Sequence, residues 1–174
     1  MDDTLRHRYR TLRPQVAEGM PITVLHIGAD QTVIVAGTGP EPAEVLVLAI
    51  GSGKTAAALF HHNPPTPGEL ENAIQIVEDE VTRARALAAS YPSLWSTDPA
   101  VPELAQIAGV SMDAGNNSLS IEAVEQLFDL LASLSLGRPA ASAGIPNTPT
   151  FAATLLILRE FMHHLGFADI RWPG

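Results

Sequence analysis

Three short apolar runs stand close together near the start of the chain and constrain its fold more than any other feature. Ile22 to Ile27 (ITVLHI), Thr32 to Ala36 (TVIVA) and Val45 to Ile50 (VLVLAI) are rich in β-branched residues. The first two are joined by Gly28-Ala-Asp-Gln31, a tight connection that predicts a hairpin. The second and third are joined by residues 37–42 (GTGPEP), a cluster of breakers. Three strands in sequence order predict a β-meander. The third is apolar at consecutive positions, which places it at the centre of a sheet covered on both faces. Residues 54–60 fit either a fourth strand or one short helical turn.

From residue 66 the period changes. Leu70, Ala73, Ile74, Val77, Val81, Ala84 and Ala88 recur at spacings of three and four, the mark of one packed helical face. Thr66, Pro67 and Glu69 supply an N-cap, a first helical residue and the return partner of a capping box. Glu71, Glu78, Asp79 and Glu80 fall off the stripe and read as a solvated face. Residues 91–102 hold three prolines and read as a loop, followed by a short helix over 102–107. A second long helix spans 121–136 with Ser120 as its cap, and 137–147 is a small-residue linker. Thr148-Pro149 opens a third helix, and Gly166 ends it. Residues 167–172 (FADIRW) form a last short strand. The fold class expected is α+β (or α/β). It has a small meander sheet of 3–5 strands from residues 21–60 plus a C-terminal strand, packed on three amphipathic helices. A ribonuclease H-like half-fold meets that description.

Charge divides the chain. Its net charge is −9, but Arg6, Arg8, Arg10 and Arg13 lie in the first 13 residues beside only Asp2 and Asp3. Residues 1–15 are therefore expected to be a basic, partly disordered tail, and 16–174 a single domain. The acidic body argues against nucleic acid as a partner. No cysteine is present, which excludes disulfides, thiolate metal sites and thiol nucleophiles. The polar N-terminus shows no secretory signal, and no run of about 18 apolar residues could span a bilayer. The expectation is a cytoplasmic protein without a membrane partner.

Residues 49–60 (AIGSGKTAAALF) end a phosphate-binding loop motif at Gly53-Lys54-Thr55 without completing it. The motif's first glycine falls at position 48, which is Leu. Only eight residues follow Thr55 before Pro64, about two helical turns. The stretch reads as a glycine turn between two strands with Lys54 in solvent. The histidines are the remaining chemical candidates. Adjacent residues on a helix diverge by about 100°, so neither His61-His62 nor His163-His164 makes a two-ligand site alone. One of each pair could meet His26 across the fold, yet surface and helix-end roles suffice for all of them. No metal site, cofactor or catalytic residue is assigned.

The stretch from Val24 to Ala36 (VLHIGADQTVIVA), residues 113–118 (DAGNNS) and the rhythm of the later helices resemble the exopolyphosphatase and guanosine pentaphosphate phosphatase family. That family belongs to the acetate kinase, actin and heat-shock ATPase superfold, and the likeness extends over about two-thirds of the chain. It implies two phosphate-cradling loops, with Gly28, Asp30 and Gln31 in the first and Asp113, Gly115 and Ser118 in the second. The departures are equally specific. The family's first-loop aspartate falls at His26 and its serine at Ala29. Two glycines of the second loop are Asn116 and Asn117. The catalytic glutamate, set in a Glu-Glu-Ala context, has no counterpart. The resemblance therefore implies a shortened relative without the base that activates water. The function expected is a non-catalytic scaffold or interaction domain with an unknown protein partner; the alternative is a phosphoanion-binding protein or phosphatase. Phe151, Leu155, Leu158, Met162 and Leu165 repeat along one side of the last helix, and Leu156 and Ile157 add a second strip. A homodimer through the 149–165 helix or an edge strand would cover that strip.

Overall fold

The computed structural model describes residues 3–111, 115 and 117–174. Six strands among them form one mixed sheet: β1 (Ile22–Ile27), β2 (Thr32–Gly37), β3 (Glu44–Leu48), β4 (Ser93–Ser96), β5 (Ser118–Ser120) and β6 (Asp169–Arg171). Their order is β3-β2-β1-β4-β6-β5. The meander expected from the three apolar runs is present, with Ile27 opposite Thr32 and Thr32 opposite Leu48 in antiparallel pairs. β4 then lies parallel to β1, β6 parallel to β4, and β5 antiparallel to β6. Three neighbouring strands thus run in one direction and end at one edge of the sheet.

Side chains along β1 and β2 alternate between two cores, as the two-residue period of a strand requires. Leu25, Ile34 and Ala36 face the larger core, while Ile22, Val24, Val33 and Val35 face the smaller. The larger core is closed by α2 (Ser52–Leu59), α3 (Pro67–Val81), α4 (Arg85–Ser90), α5 (Ala100–Ile107), α6 (Ile121–Ser135) and α8 (Pro149–Leu165). A single turn, α7 (Ala140–Ala143), interrupts the linker before α8. Among the described residues, no helix is long and apolar enough to cross a membrane.

The smaller core corrects the expectation for the N-terminus. Residues 3–12 are a helix, α1 (Asp3–Leu12), and not a solvated tail. Leu5, Tyr9 and Leu12 are buried against the sheet, Arg6 and Arg10 fall on the outer face, and Arg8 is half-buried at its margin. Arg13 is buried too, its guanidinium donating to the carbonyls of Met20 and Ala17 at 2.7 and 2.6 Å. Charge counting alone concealed an amphipathic period.

Two further expectations are corrected. β3 is an edge strand and not the centre. Its residues from Val45 to Val47 are half-exposed, and the central position belongs to β1. The supposed loop over 91–102 contains β4, whose only apolar residues are Leu94 and Trp95. A short parallel strand flanked by two neighbours takes its hydrogen bonds and apolar cover from them, so its own composition need not announce it. Residues 52–59 settle as helix α2, joining β3 to α3.

The helix starts are as expected. Thr66 Oγ1 accepts from Glu69 N at 3.3 Å, and Glu69 Oε2 accepts from Thr66 N at 2.8 Å, which completes the capping box. Ser120 and Thr148 cap α6 and α8 through Ala123 N and Phe151 N, both at 3.2 Å. Gly166 ends α8 with φ 76°, a conformation that favours glycine. Glu69 also accepts from His62 Nδ1 and His61 N, each at 2.9 Å. The His62 bond, followed by the backbone bond from Thr66, draws the Glu69 carboxyl down from 4.5 to about 2. A depressed carboxylate contributes stability that is present above its unfolded value and lost as pH falls through its folded one. Acid titration followed by circular dichroism should therefore show this contribution disappearing between pH 4.5 and about 2. In Glu69→Gln that part of the titration should be flat.

Candidate functional site

At the end of β1 the chain turns back into the hairpin with β2. At the end of β4, its parallel neighbour, the chain leaves towards α5. In open sheets the carboxyl ends of parallel strands, where neighbouring connections diverge, are where ligands bind. A polar cluster occupies this place. Ser96 Oγ donates to Leu25 O at 2.9 Å and accepts from Asp98 N at 3.0 Å, which fixes the turn after β4 against β1. Asp98 Oδ2 accepts from Ile27 N at 2.8 Å. Asp98 Oδ1 stands 2.6 Å from both His26 Nδ1 and Arg8 Nη1. The Asp98 side chain is 10% exposed, so this is a nearly desolvated carboxylate held by three donors.

The acceptor at Nδ1 sets the histidine. A carboxylate can only accept, so Nδ1 carries the proton and the neutral ring presents its lone pair at Nε2. Nε2 faces the hairpin. A Cβ at Gly28 would stand 3.5 Å from it and 2.8 Å from Gln31 O, so only glycine fits there without displacing the turn. An oriented histidine of this kind can hold or accept a proton from a group bound over the hairpin. The same bonds also fasten α1 to the sheet through Arg8, which further donates to Thr97 Oγ1 at 3.3 Å.

The expected phosphate-loop residues are placed as follows. Gly28 N donates to Gln31 O at 3.0 Å and closes the hairpin, leaving Asp30 and Gln31 exposed. The start of α2 docks directly on this turn. Ser52 N donates to Gly28 O and Lys54 N to Ala29 O, both at 2.9 Å. A Cβ at Gly51 would stand 2.5 Å from Ala29 O, so the two loops are in van der Waals contact. Two N–H groups that such a turn could aim at phosphate, those of Ser52 and Lys54, are thus bonded to hairpin carbonyls instead, and Thr55 N donates to Gly51 O at 2.8 Å. Lys54 is exposed, as expected, but it does not join two strands. It opens a helix, and its Nζ donates to Ala49 O at 2.9 Å.

Asp113 lies outside the described residues. Gly115 has φ 106°, and Ser118 begins β5. Both sit at the same end of the sheet as Gly28, but β4 and β6 intervene. Three strand spacings amount to about 14 Å. Gly115 and Ser118 border a separate cleft with Trp95, Arg171 and Trp172. The two expected halves of a phosphate cradle are not brought together among the described residues.

The histidines do not converge either. His26 belongs to the Asp98 cluster, His61 and His62 meet Glu69, and His163 pairs with Glu125 at 3.2 Å. His164 contacts Glu160 and Glu78 at the far end of the molecule. Asp98 and Arg8 were missed in the sequence because each lay in a segment read as unstructured. The pair of Asp98 four residues beyond Leu94 becomes a signal only once β4 is known.

No protein-family model matches the chain, and no curated protein sequence does. Solved structures match in fold. The Ppx/GppA family member from Aquifex aeolicus superposes with a TM-score of 0.77 at 17% identity, covering 96% of this chain and 56% of that one. An exopolyphosphatase from Cytophaga hutchinsonii gives 0.69 at 14% identity, over 94% of this chain and 56% of the other. An exopolyphosphatase-like protein gives 0.67 at 13% identity, over 99% and 61%. The resemblance first visible at Gly28 and Gly115 holds at the level of architecture: over nearly its whole length this chain has the fold of the Ppx/GppA exopolyphosphatases, and it spans 56–61% of the length of these solved chains.

Proposed function

We propose that the chain is a non-catalytic interaction domain on the exopolyphosphatase fold, and that it pairs with a second copy of itself along β3. The observation that carries the first half is the closed junction of hairpin and helix. Gly28 O and Ala29 O take up the N–H groups of Ser52 and Lys54, where a phosphate-binding loop needs them free. His26, in the place of the family's loop aspartate, is bound to Asp98, which also accepts from Arg8.

The second half rests on the sheet edge. α8 was one of two surfaces expected to pair, but Leu155, Leu156, Ile157 and Leu158 are each 0% exposed within a single chain. This burial favours the edge strand over the helix as the pairing surface. An open edge presents backbone donors and acceptors to another strand. Antiparallel pairing of β3 with its own copy about Leu46 sets Glu44 opposite Leu48 and Val45 opposite Val47. No like charges then face each other. Sedimentation equilibrium should give twice the chain mass of 18.4 kDa. Leu46→Lys sets two ammonium groups face to face on the axis and should return the monomer. A wild-type monomer at tens of micromolar, or a dimer indifferent to Leu46→Lys, would refute the pairing.

A second reading, a phosphoanion-binding domain or phosphatase, is favoured by one observation. His26 Nε2 faces the hairpin at the carboxyl ends of the parallel strands, in a fold whose solved neighbours are exopolyphosphatases.

A further inference from the structure

We infer that Glu78, Glu160 and His164 form a binding site for a divalent transition cation of the zinc class, at the opposite end of the molecule from the His26 cluster. α3 leads through α4 into the start of β4, and α8 leads into the start of β6. The carboxyl ends of both helices therefore lie at the amino ends of the parallel strands, and there the three side chains meet. One ligand atom from each lies within 4.8 Å of the others.

Glu160 supplies the decisive observation. It is 0% exposed in the middle of the apolar α8 face. Its Oε1 is satisfied by Arg159 Nη1 at 2.5 Å. Its Oε2 is buried and accepts no hydrogen bond. That oxygen nevertheless stands 2.9 Å from His164 Nε2, so the imidazole is close but not aligned to donate. A hydrogen bond would put the oxygen on the ring N–H axis. Two ligands of one ion stand off each other's lone-pair axes, separated by about 3.3 Å when both arms are near 2.0–2.1 Å in a tetrahedral site. The observed pair is off the hydrogen-bond axis and, at 2.9 Å, lies a few tenths of an ångström inside that spacing, so a small side-chain shift admits the ion. A buried carboxylate oxygen without a partner is costly, and a cation between it and the imidazole removes that cost.

Glu78 completes the set from α3. Its Oε1 is 3.6 Å from His164 Nδ1, and its side chain is 43% exposed, free to swing the remaining distance. Imidazole with two carboxylates suits zinc and its neighbours. Three protein ligands leave a fourth position for water. Arg159 is a cation set against Glu160. It is shared with Glu125 at 3.0 Å, so Glu160 keeps part of its charge for the ion. Burial works against the Arg159 charge, but the Glu160 and Glu125 carboxylates outweigh it and hold the guanidinium above its ordinary pKa.

Calorimetric titration of the whole chain with zinc chloride, in chelator-free buffer, tests the site. One zinc per chain is expected, with a rise in Tm. Glu78→Gln should weaken binding by more than the roughly tenfold cost of losing even an outer-shell partner. His164→Ala should abolish binding, and His163→Ala, which pairs with Glu125 and meets the His164 ring only edge-on at 5.1 Å, should weaken it by less than Glu78→Gln does. Glu78 is solvent-facing, so its variant decides the matter even if His164→Ala fails to fold. Absence of saturable zinc binding by the wild type would overturn the assignment. So would binding that survives Glu78→Gln undiminished.

Discussion

Leu156→Glu is expected to leave no folded protein at 25 °C. Leu156 is 0% exposed, as are Leu155, Ile157 and Leu158 beside it. α8 packs between α2, α3 and α6 and lies across the sheet, so the new carboxylate would meet apolar side chains whichever way it turned. Leaving a charge buried without a partner costs about 3–5 kcal/mol, to which the lost leucine packing adds about 2–5 kcal/mol. Together these come to about 5–10 kcal/mol, as much as the whole stability of a domain in the lower half of the usual range of about 5–15 kcal/mol. Far-ultraviolet circular dichroism and sedimentation separate this from the alternative. A folded monomer in place of a dimer would mean that α8 is a subunit interface and not an internal helix. Leu136→Glu is the control, because Leu136 is 79% exposed and should tolerate the charge.

Asp98→Ala should have the second largest effect, a loss of about 3–5 kcal/mol. The substitution removes the acceptor of Ile27 N and parts the carboxylate from His26 and Arg8 together. α1 then keeps its apolar contacts through Leu5, Tyr9 and Leu12 but loses its polar anchor at the carboxyl end of β1. Hydrogen exchange should accelerate at the Ile27 amide and along α1 before it does so in α8. Asp98→Asn retains an oxygen acceptor for one donor and should lose less. If Asp98→Ala and Asp98→Asn unfold at the denaturant midpoint of the wild type, the cluster does not hold α1 to the sheet.

The elements visible in the sequence are those that carry their own punctuation. Thr66, Ser120 and Thr148 each mark a helix start through a side-chain oxygen, and Gly166 marks an end through its positive φ. These are local devices that need no knowledge of the fold. The hairpin at Gly28 is legible for the same reason. What stayed hidden depends on neighbours. β4 is a strand because β1 and β6 flank it. β3 is an edge because no strand among the described residues pairs beyond it, and its apolar run reflects half-exposed valines over α1 as well as a core. α1 was obscured because its arginines dominate a count of charge, although Leu5, Tyr9 and Leu12 recur at helical spacing. The candidate site shared this fate. His26 and Gly28 were singled out as a deviant loop, but their partners Asp98 and Arg8 became partners only through β4 and α1. Glu160 lies in an apolar helix without a motif of its own, and its burial is what distinguishes it.

Phosphate release is the most direct measurement of the central claim. The chain should be incubated with long-chain polyphosphate and with guanosine pentaphosphate, with and without magnesium. The closed junction of Ser52 and Lys54 with the hairpin carbonyls, and the histidine in place of a loop aspartate, lead to one expected result. Phosphate should not rise above the buffer rate with either substrate. Turnover by the wild type that disappears in His26→Ala or Asp113→Ala would contradict the account. It would show that these strand ends are an active centre and that the domain cleaves the phosphoanhydride bond it was proposed to leave alone.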